Sequence, residues 1–98
     1  MFDQMKKLME VKQQADKIKR QLEAARVEVK DAEGISIVID GAQKVQELTI
    51  SEHLLVASRK AQLESDLVKS LNKAIAKSQG LAAEQMKQVM GLGGLPGL

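Results

Sequence analysis

A helical repeat of apolar side chains runs through the first quarter of the chain. From Leu8 onward, apolar residues recur at alternating steps of three and four positions, at Leu8, Val11, Ala15, Ile18, Leu22 and Ala25. This spacing aligns them along one seam of a helix, and no Gly or Pro occurs before Gly34. We therefore expect a helix from about residue 3 to about residue 26, roughly 36 Å long at 1.5 Å per residue.

The period of the pattern changes to two after this helix. Valines alternate with charged residues over 27–30, and an isoleucine occupies every second position over 35–39, which is typical of strands. The Asp40-Gly41 pair that follows predicts a hairpin turn, because Gly accepts the positive φ that a tight turn needs. Glu33-Gly34 marks a weaker turn before it, and a third strand is expected from about residue 44 to residue 50.

A second helix is predicted after a connection at residues 51–58. In the connection, Leu54 and Leu55 are expected to close one end of the core, and Ser58 is a suitable N-cap for the helix. The apolar stripe that follows comprises Leu63, Leu67, Leu71, Ala74 and Ile75. We expect the helix to extend to about Met90, with a weakened or bent point at Gly80, because Gly in a helix interior costs about 1 kcal/mol relative to Ala.

The last eight residues differ in composition from the rest. Residues 91–98 hold four of the seven Gly and the only Pro, which predicts a flexible tail behind a single domain of residues 1–90. The glycines of this tail have no strand before them and no helix after them, so a phosphate-binding loop is not expected.

These elements define an α+β fold with the order α-β-β-β-α, in which a three-stranded antiparallel sheet lies between two long helices. A strand of about six residues spans roughly 20 Å, so the first helix must extend beyond the sheet. The extension carries seam residues, Leu8 and Val11 among them, that one chain leaves uncovered. A homodimer in which these seams meet, with its helices protruding, is the simplest arrangement that buries them.

Charge is segregated along the chain, although its net value is only +2. Residues 1–26 carry seven Lys and Arg against four Asp and Glu, residues 27–58 carry two against six, and residues 59–98 carry six against three. Two basic helical blocks thus flank an acidic sheet. Separate basic surfaces of this kind are typical of proteins that meet a polyanion, and the sheet is the part expected to stay away from it.

Few residues are suited to catalysis or cofactor binding. The chain has no Cys and a single histidine, His53, so it offers neither thiol chemistry nor a histidine pair for a metal. The carboxylates at Glu28, Asp31 and Glu33 are interpreted as a solvated sheet surface rather than a metal site. No nucleotide-binding motif occurs. We expect no enzymatic activity, no cofactor and no small-molecule substrate.

The sequence also favours a cytoplasmic location. No stretch has the length of a membrane span, and the first residues are amphipathic, unlike a signal peptide. The absence of Cys fits a reducing compartment.

Most basic side chains of the predicted helices have an acidic neighbour at helical spacing, which is ordinary helix support. Asp16 with Arg20 and Glu64 with Lys60 are examples, and Asp66 is expected to pair with Lys69. The candidates for phosphate contact are the residues that lack such a neighbour, together with Lys69, which belongs to a four-residue repeat. They are Lys12, Lys17, Arg26, Arg59, Lys69, Lys73 and Lys77. The row formed by Lys69, Lys73 and Lys77 is the leading candidate; the alternative is a face that only confers solubility.

The kind of nucleic acid can be narrowed by composition. Phe2 is the only aromatic residue, whereas proteins that bind single strands commonly stack bases on aromatic rings. Contact with the backbone of duplex DNA is therefore favoured, and low sequence specificity is expected.

Five segments follow one another in an order that is typical of a known family. They are a Met- and Gln-containing helix at 5–26, the Gly-bounded strand 34–41, Ile50 to Leu55, Asp66 to Ala74, and the ending 95–98. Together they resemble the YbaB/EbfC family of bacterial nucleoid-associated proteins, which carries Ile-Asp-Pro-x-Leu-Leu at the third place and, at the fourth, a helix that begins Asp-Leu-Val and continues with Ala and Asn. The chain departs from the family at Ser51-Glu52, in place of Asp-Pro, and at Leu71, in place of Ala.

The resemblance implies an α-β-β-β-α protomer, a dimer with protruding helices, and DNA binding with effects on nucleoid organisation and gene expression. It also implies a link with recombinational repair, with a recombination mediator as a partner protein. It transfers no DNA-contacting residue, so the Lys and Arg candidates rest on charge alone.

A second hypothesis belongs to a different functional class. A helix, a small sheet and a helix also resemble prefoldin subunits, whose helical jaws hold unfolded clients, and this suggests a protein-interaction or chaperone-like module without DNA binding. The helices predicted here are shorter, and their basic charge favours DNA.

Overall fold

The computed structural model describes residues 2–92 and has the element order expected from the sequence. In chain order the elements are α1 (Phe2–Ala24), β1 (Val27–Val29), β2 (Ile35–Ile39), β3 (Val45–Ile50), two single-turn 3-10 helices (Glu52–Leu54 and Ala57–Arg59) and α2 (Lys60–Leu92). This order confirms the predicted α+β fold with its three strands between two long helices.

The three strands form one antiparallel sheet in the order β1-β2-β3. Val29 pairs with Ile37 across the first two strands, and Ile37 pairs with Leu48 across the second and third. The register shifts by one residue between Val38 and Ile39, which marks a bulge next to the second hairpin turn. The apolar partners of each row therefore lie on the same face of the sheet.

The hydrophobic core lies between this face and α2. Its buried residues are Val29, Ile35, Ile37, Ile39 and Ala74, and the side chains packed around them include Leu54, Leu63, Leu67 and Leu71. Small residues at Ser70, Ala74 and Ser78 are all buried on α2, so the helix approaches the sheet closely along this line. The predicted apolar stripe of α2 therefore packs on the apolar face of the strands, except for its last member, Ile75, which is 37% exposed.

The helix α2 packs on β1 and β2 and leaves part of β3 uncovered. Leu48 and Val45 lie on the core face of the sheet, yet they are 48% and 45% exposed. An apolar strip therefore remains open along the edge strand.

Glycine is required for a different reason in each of the two turns. Gly34 has a φ of +82°, as a turn that favours Gly requires. At the second turn the positive φ belongs to Gln43, at +66°, and the expectation that Gly41 supplies it is wrong. A Cβ at Gly41 would lie 2.9 Å from the carbonyl oxygen of Leu22, so Gly41 is required by close packing against α1.

The second helix differs from the prediction at its start. Ser58 lies inside the second 3-10 helix, whose N-cap is Val56, and α2 begins at Lys60. Of the two leucines expected to close the core, Leu54 packs on it, whereas Leu55 is 61% exposed.

The later part of α2 is one continuous helix. It passes through Gly80 without interruption and is helical to Leu92, the last described residue, so Gly91 and Leu92 prolong it beyond the expected boundary at residue 90. The rest of the predicted flexible tail, 93–98, lies outside the described residues.

Both helices extend past the sheet, and the molecule measures 67 × 23 × 16 Å. Gly41, at the end of the sheet, donates a hydrogen bond to the carbonyl of Leu22, and Ser78 bonds the neighbouring Asp40. The part of α1 before Leu22 is about 30 Å long, and the part of α2 after Ser78 is about 20 Å long. The overhang predicted for α1 therefore exists, and α2 also extends beyond the sheet.

Candidate nucleic-acid interface

The lysine row of α2 is exposed to solvent. Lys69, Lys73 and Lys77 recur every four residues along the helix, and each side chain is accessible. The row is exposed because the opposite side of α2 carries Leu67 and Leu71, which pack on the core. It is the one set of three candidate residues that the described part of the chain aligns on a single element.

The expectation that Lys73 has no acidic partner is wrong. Its ammonium nitrogen lies 2.5 Å from Oδ1 of Asp31, just after β1, and both side chains are about half exposed (46% and 45%). The two residues are separated by 42 positions in the sequence, so pairing rules within one helix could not find the contact. The sheet and the lysine row meet at this point.

The same contact governs the titration of Asp31. The hydrogen bond from Lys73 and then its positive charge lower the pKa of the Asp31 carboxyl below its usual value, and the charge of Lys77 lowers it further. Asp31 therefore lies in the electrostatic field of two members of the row.

The candidates on α1 lie on a separate surface. Lys12 and Lys17 are exposed, and none of the residues of α1 from Phe2 to Ala24 is buried. The ion pair expected on α1 between Asp16 and Arg20 does not form among the described residues. The ion pairs within 4 Å in this part of the chain join Lys30 to Glu28, Lys60 to Glu64, and Lys73 to Asp31. The pair of Lys60 with Glu64 is the helical pair that the sequence predicted and the structure contains.

Arg26 is engaged at the end of α1. Its guanidinium donates hydrogen bonds to the main-chain carbonyls of Glu23, at 2.7 Å, and Ala25, at 2.9 Å. Carbonyls at a helix C-terminus lack partners within the helix, so Arg26 satisfies them and places its charge at the negative end of the helix dipole.

Arg59 lies at the opposite end of the sheet from Arg26, as the last residue of the second 3-10 helix before α2. It lines a surface cleft together with two carboxylates, Glu33 and Asp66. Asp66 accepts a hydrogen bond from Gln62, at 2.9 Å, and does not form the expected ion pair with Lys69 among the described residues. Arg59 is therefore accompanied by two carboxylates in this cleft.

The turn after β2, which the sequence predicted only as a hairpin turn, contains a buried carboxylate at Asp40. Asp40 is 1% exposed, and its carboxylate accepts hydrogen bonds from the main-chain N–H groups of Ala42 and Lys44 and from the side chain of Gln46. These bonds, led by that from Lys44, lower the pKa of Asp40 below its usual value against the opposing effect of burial. An Asp before a turn is the available sequence signal, because Asp often bonds main-chain N–H groups of its own turn.

The seven candidates therefore fall into separate groups. The row on α2 flanks the sheet, Lys12 and Lys17 lie on the extended part of α1, Arg26 closes α1, and Arg59 lies in an acidic cleft. In the described residues, neither helix is long and apolar enough to cross a membrane.

Comparison with known proteins gives a consistent result. A nucleoid-associated protein of Ruminiclostridium cellulolyticum is 30% identical over 96 residues, which cover 96% of this chain and 84% of that protein. A nucleoid-associated protein of Flavobacterium johnsoniae is 31% identical over 97 residues, covering 96% and 90%, and one of Synechococcus sp. strain RCC307 is 30% identical over 94 residues, covering 95% and 84%. The family model of the YbaB/EbfC DNA-binding family matches residues 1–94. The chain belongs to the YbaB/EbfC DNA-binding family.

Proposed function

We propose that this protein is a nucleoid-associated protein that binds duplex DNA as a homodimer, mainly through contacts with the phosphate backbone. The observation that carries the proposal is the exposed row of Lys69, Lys73 and Lys77 on one helix of a chain that belongs to a DNA-binding family. Binding of this kind organises the nucleoid and influences gene expression. The family resemblance extends the proposal to recombinational repair, with a recombination mediator as partner.

The chemistry of the row supports backbone contact with low sequence specificity. Lysine ammonium groups bind phosphate as point charges on flexible stems, and phosphate contacts carry no sequence information. The only aromatic residue of the chain, Phe2, lies at the start of α1, far from the row. Duplex DNA is therefore a better ligand than a single strand, whose bases need aromatic surfaces for stacking.

The exposed seam of α1 supports the homodimer. Leu8 is 70% exposed and Val11 is 63% exposed, and both belong to the apolar repeat that predicted a helix-to-helix contact. Burial of such side chains contributes about 1.5–3 kcal/mol each. A second copy would also add a second lysine row to the assembly, which strengthens a polyanion interaction.

A salt-dependent titration on random-sequence duplex DNA tests the proposal. Each phosphate contact contributes about −0.9 to the slope of log affinity against log salt concentration, so steep loss of affinity with salt is expected. A slope near zero would contradict backbone binding.

A pair of charge-matched variants assigns the contact to α2. Lys69→Gln with Lys77→Gln removes two charges from the row, whereas Lys30→Gln with Lys44→Gln removes two from the sheet. We expect the first variant to reduce the slope by about 0.9 for each lysine that contacts phosphate and the second to leave it close to the wild-type value. Equal effects of the two variants would mean that net charge alone matters and would remove the row from the site.

The exposed apolar surface of α1 also fits the alternative function, that of a chaperone-like protein. A helical arm without buried residues is also suited to hold a protein client, as in the chaperone-like hypothesis. Under that hypothesis no duplex binds at moderate salt, and a protein partner is recovered in pull-downs. Detection of a duplex complex with the expected salt slope decides for DNA.

A further inference from the structure

The contact of Lys73 with Asp31 gives the lysine row an internal competitor. Lys73 belongs to an exposed row, yet its ammonium already holds a carboxylate at 2.5 Å. Asp31 lies two residues after the end of β1 and is also subject to the positive charge of Lys77. One carboxylate thus faces the two neighbouring lysines that the proposed interface offers to phosphate.

We infer that Asp31 is an affinity-determining residue for DNA, because its carboxylate occupies the place on Lys73 that a phosphate would take. The inference rests on the DNA binding proposed above. It assigns to Asp31 a role opposite to that of the lysines: Asp31 weakens the complex, lowers its salt dependence, and keeps the row partly neutralised in the absence of DNA.

The charges and exposure of the pair support competition. An ammonium has three donors, so Lys73 could bind a phosphate beside Asp31, but the two anions would then be close neighbours and repel each other. Both side chains are about half exposed, so an incoming phosphate can reach Lys73 without unfolding the protein. An ion pair at such exposure contributes little to stability, which makes it exchangeable for a stronger polyanion contact.

The chain supplies a matched control in β1, three residues before Asp31. Glu28 forms an ion pair with Lys30 at 3.0 Å, and both side chains are exposed. Glu28→Gln therefore removes one negative charge and releases one lysine, as Asp31→Asn does, but the released lysine does not belong to the row. The difference in affinity between the two variants separates the effect of a carboxylate beside Lys73 from the effect of net charge.

The test measures affinity for random-sequence duplex DNA from 50 to 200 mM salt in both variants, each also combined with Lys73→Gln. Asp31→Asn is expected to tighten binding about fivefold to tenfold near 0.1 M salt and to steepen the salt slope by about 0.9 per protomer, the contribution of one more phosphate contact. Glu28→Gln should change affinity less than about twofold. In the Lys73→Gln background, the extra effect of Asp31→Asn should disappear.

Three results would overturn the inference. Equal effects of Asp31→Asn and Glu28→Gln on affinity would mean that only net charge matters. Weaker binding by Asp31→Asn would make Asp31 a positioning residue for Lys73. An effect of Asp31→Asn that persists in the Lys73→Gln background would mean that Asp31 does not act through Lys73. Thermal melting of each variant excludes unfolding as the cause.

A second readout separates this inference from the proposed function. The rate of Lys73 acylation, followed by mass spectrometry without DNA, should rise in Asp31→Asn and stay constant in Glu28→Gln, because only the first variant frees Lys73. If the wild type binds no duplex at 50 mM salt, the proposed function fails and the inference fails with it. If the wild type binds and the Asp31 variants follow the control, the inference alone is wrong.

Discussion

The hydroxyl of Ser78, in the middle of α2, donates a 2.7 Å hydrogen bond to the main-chain carbonyl of Asp40, at the end of β2. The next residue, Gly41, donates its N–H to the carbonyl of Leu22 in α1, also at 2.7 Å. A single turn is therefore bonded to both helices at the level where they leave the sheet. Changes at this turn test how the two extended helices are held.

Replacement of Ser78 by Ala should lower the free energy of unfolding by about 1–2 kcal/mol, because the buried carbonyl of Asp40 loses a partner. Ser70→Ala is the matched control on the same buried line of α2. The Ser70 hydroxyl oxygen is buried without a hydrogen-bond partner among the described residues, so its removal should be neutral or stabilising. Urea denaturation measures both. Equal destabilisation by the two variants would indicate that packing, not the hydrogen bond, accounts for the effect.

Gly41→Ala should destabilise the protein by about 1–3 kcal/mol, the usual cost of overpacking. The new Cβ would lie 2.9 Å from the carbonyl oxygen and 3.1 Å from the Cα of Leu22, and main-chain atoms cannot move aside cheaply. Gly80→Ala, where nothing lies within 4 Å of the added Cβ, should instead stabilise α2 by about 1 kcal/mol. Opposite shifts of the melting temperature are expected. A stabilising Gly41→Ala would contradict the close contact between the turn and α1.

The buried carboxylate of Asp40 predicts a loss of stability in acid. Hydrogen bonds from Lys44, Gln46 and Ala42 hold the folded-state pKa of Asp40 below its usual value, whereas the unfolded value is about 3.9. The ionised group therefore contributes stability that is fully present above about pH 4 and is lost as the pH falls through the folded-state pKa.

Urea denaturation between pH 7 and pH 2 measures this dependence. The free energy of unfolding of the wild type should decline below about pH 4, and Asp40→Asn should show a shallower decline. The variant should also be less stable at pH 7 by about 1–3 kcal/mol, because the amide presents a donor to the donor of Gln46. An unchanged acid dependence in Asp40→Asn would show that other groups govern it.

The elements of this fold were predictable because each is encoded by a local period. Isoleucine at every second position over 35–39 led to a buried strand, and the seam from Leu8 led to a helix whose early part lacks cover. The turn after β2 was found at its correct place, but the role of Gly41 was not. Its close contact is with Leu22, a residue of another element, and no local pattern carries that information.

The candidate site was less predictable for the same reason. Charge pairing within one helix correctly gave the pair of Lys60 with Glu64. It treated Lys73 as unpaired, whereas the sheet brings Asp31 to it from 42 positions away. The position of an acidic strand end beside a lysine row follows from how α2 docks on β1, and docking depends on tertiary packing rather than on charge spacing.

The proposed dimer depends on the apolar seam of α1. Replacement of Leu8 and Val11 by Gln should raise the dimer dissociation constant at least about tenfold, since each buried apolar side chain contributes about 1.5–3 kcal/mol. Both residues are exposed in the protomer, so the folded protomer should keep its circular dichroism. Sedimentation velocity over a concentration series measures the change.

A second exposed apolar pair provides the control for this test. Leu55 and Val56, in the connection before α2, are 61% and 47% exposed, and their replacement by Gln removes the same kind of surface outside the seam. This variant should remain dimeric. If the control dissociates and the Leu8 and Val11 variant does not, the partner covers the connection before α2 instead of the seam. The helices would then protrude without meeting, and the apolar seam of α1 would be free for another partner.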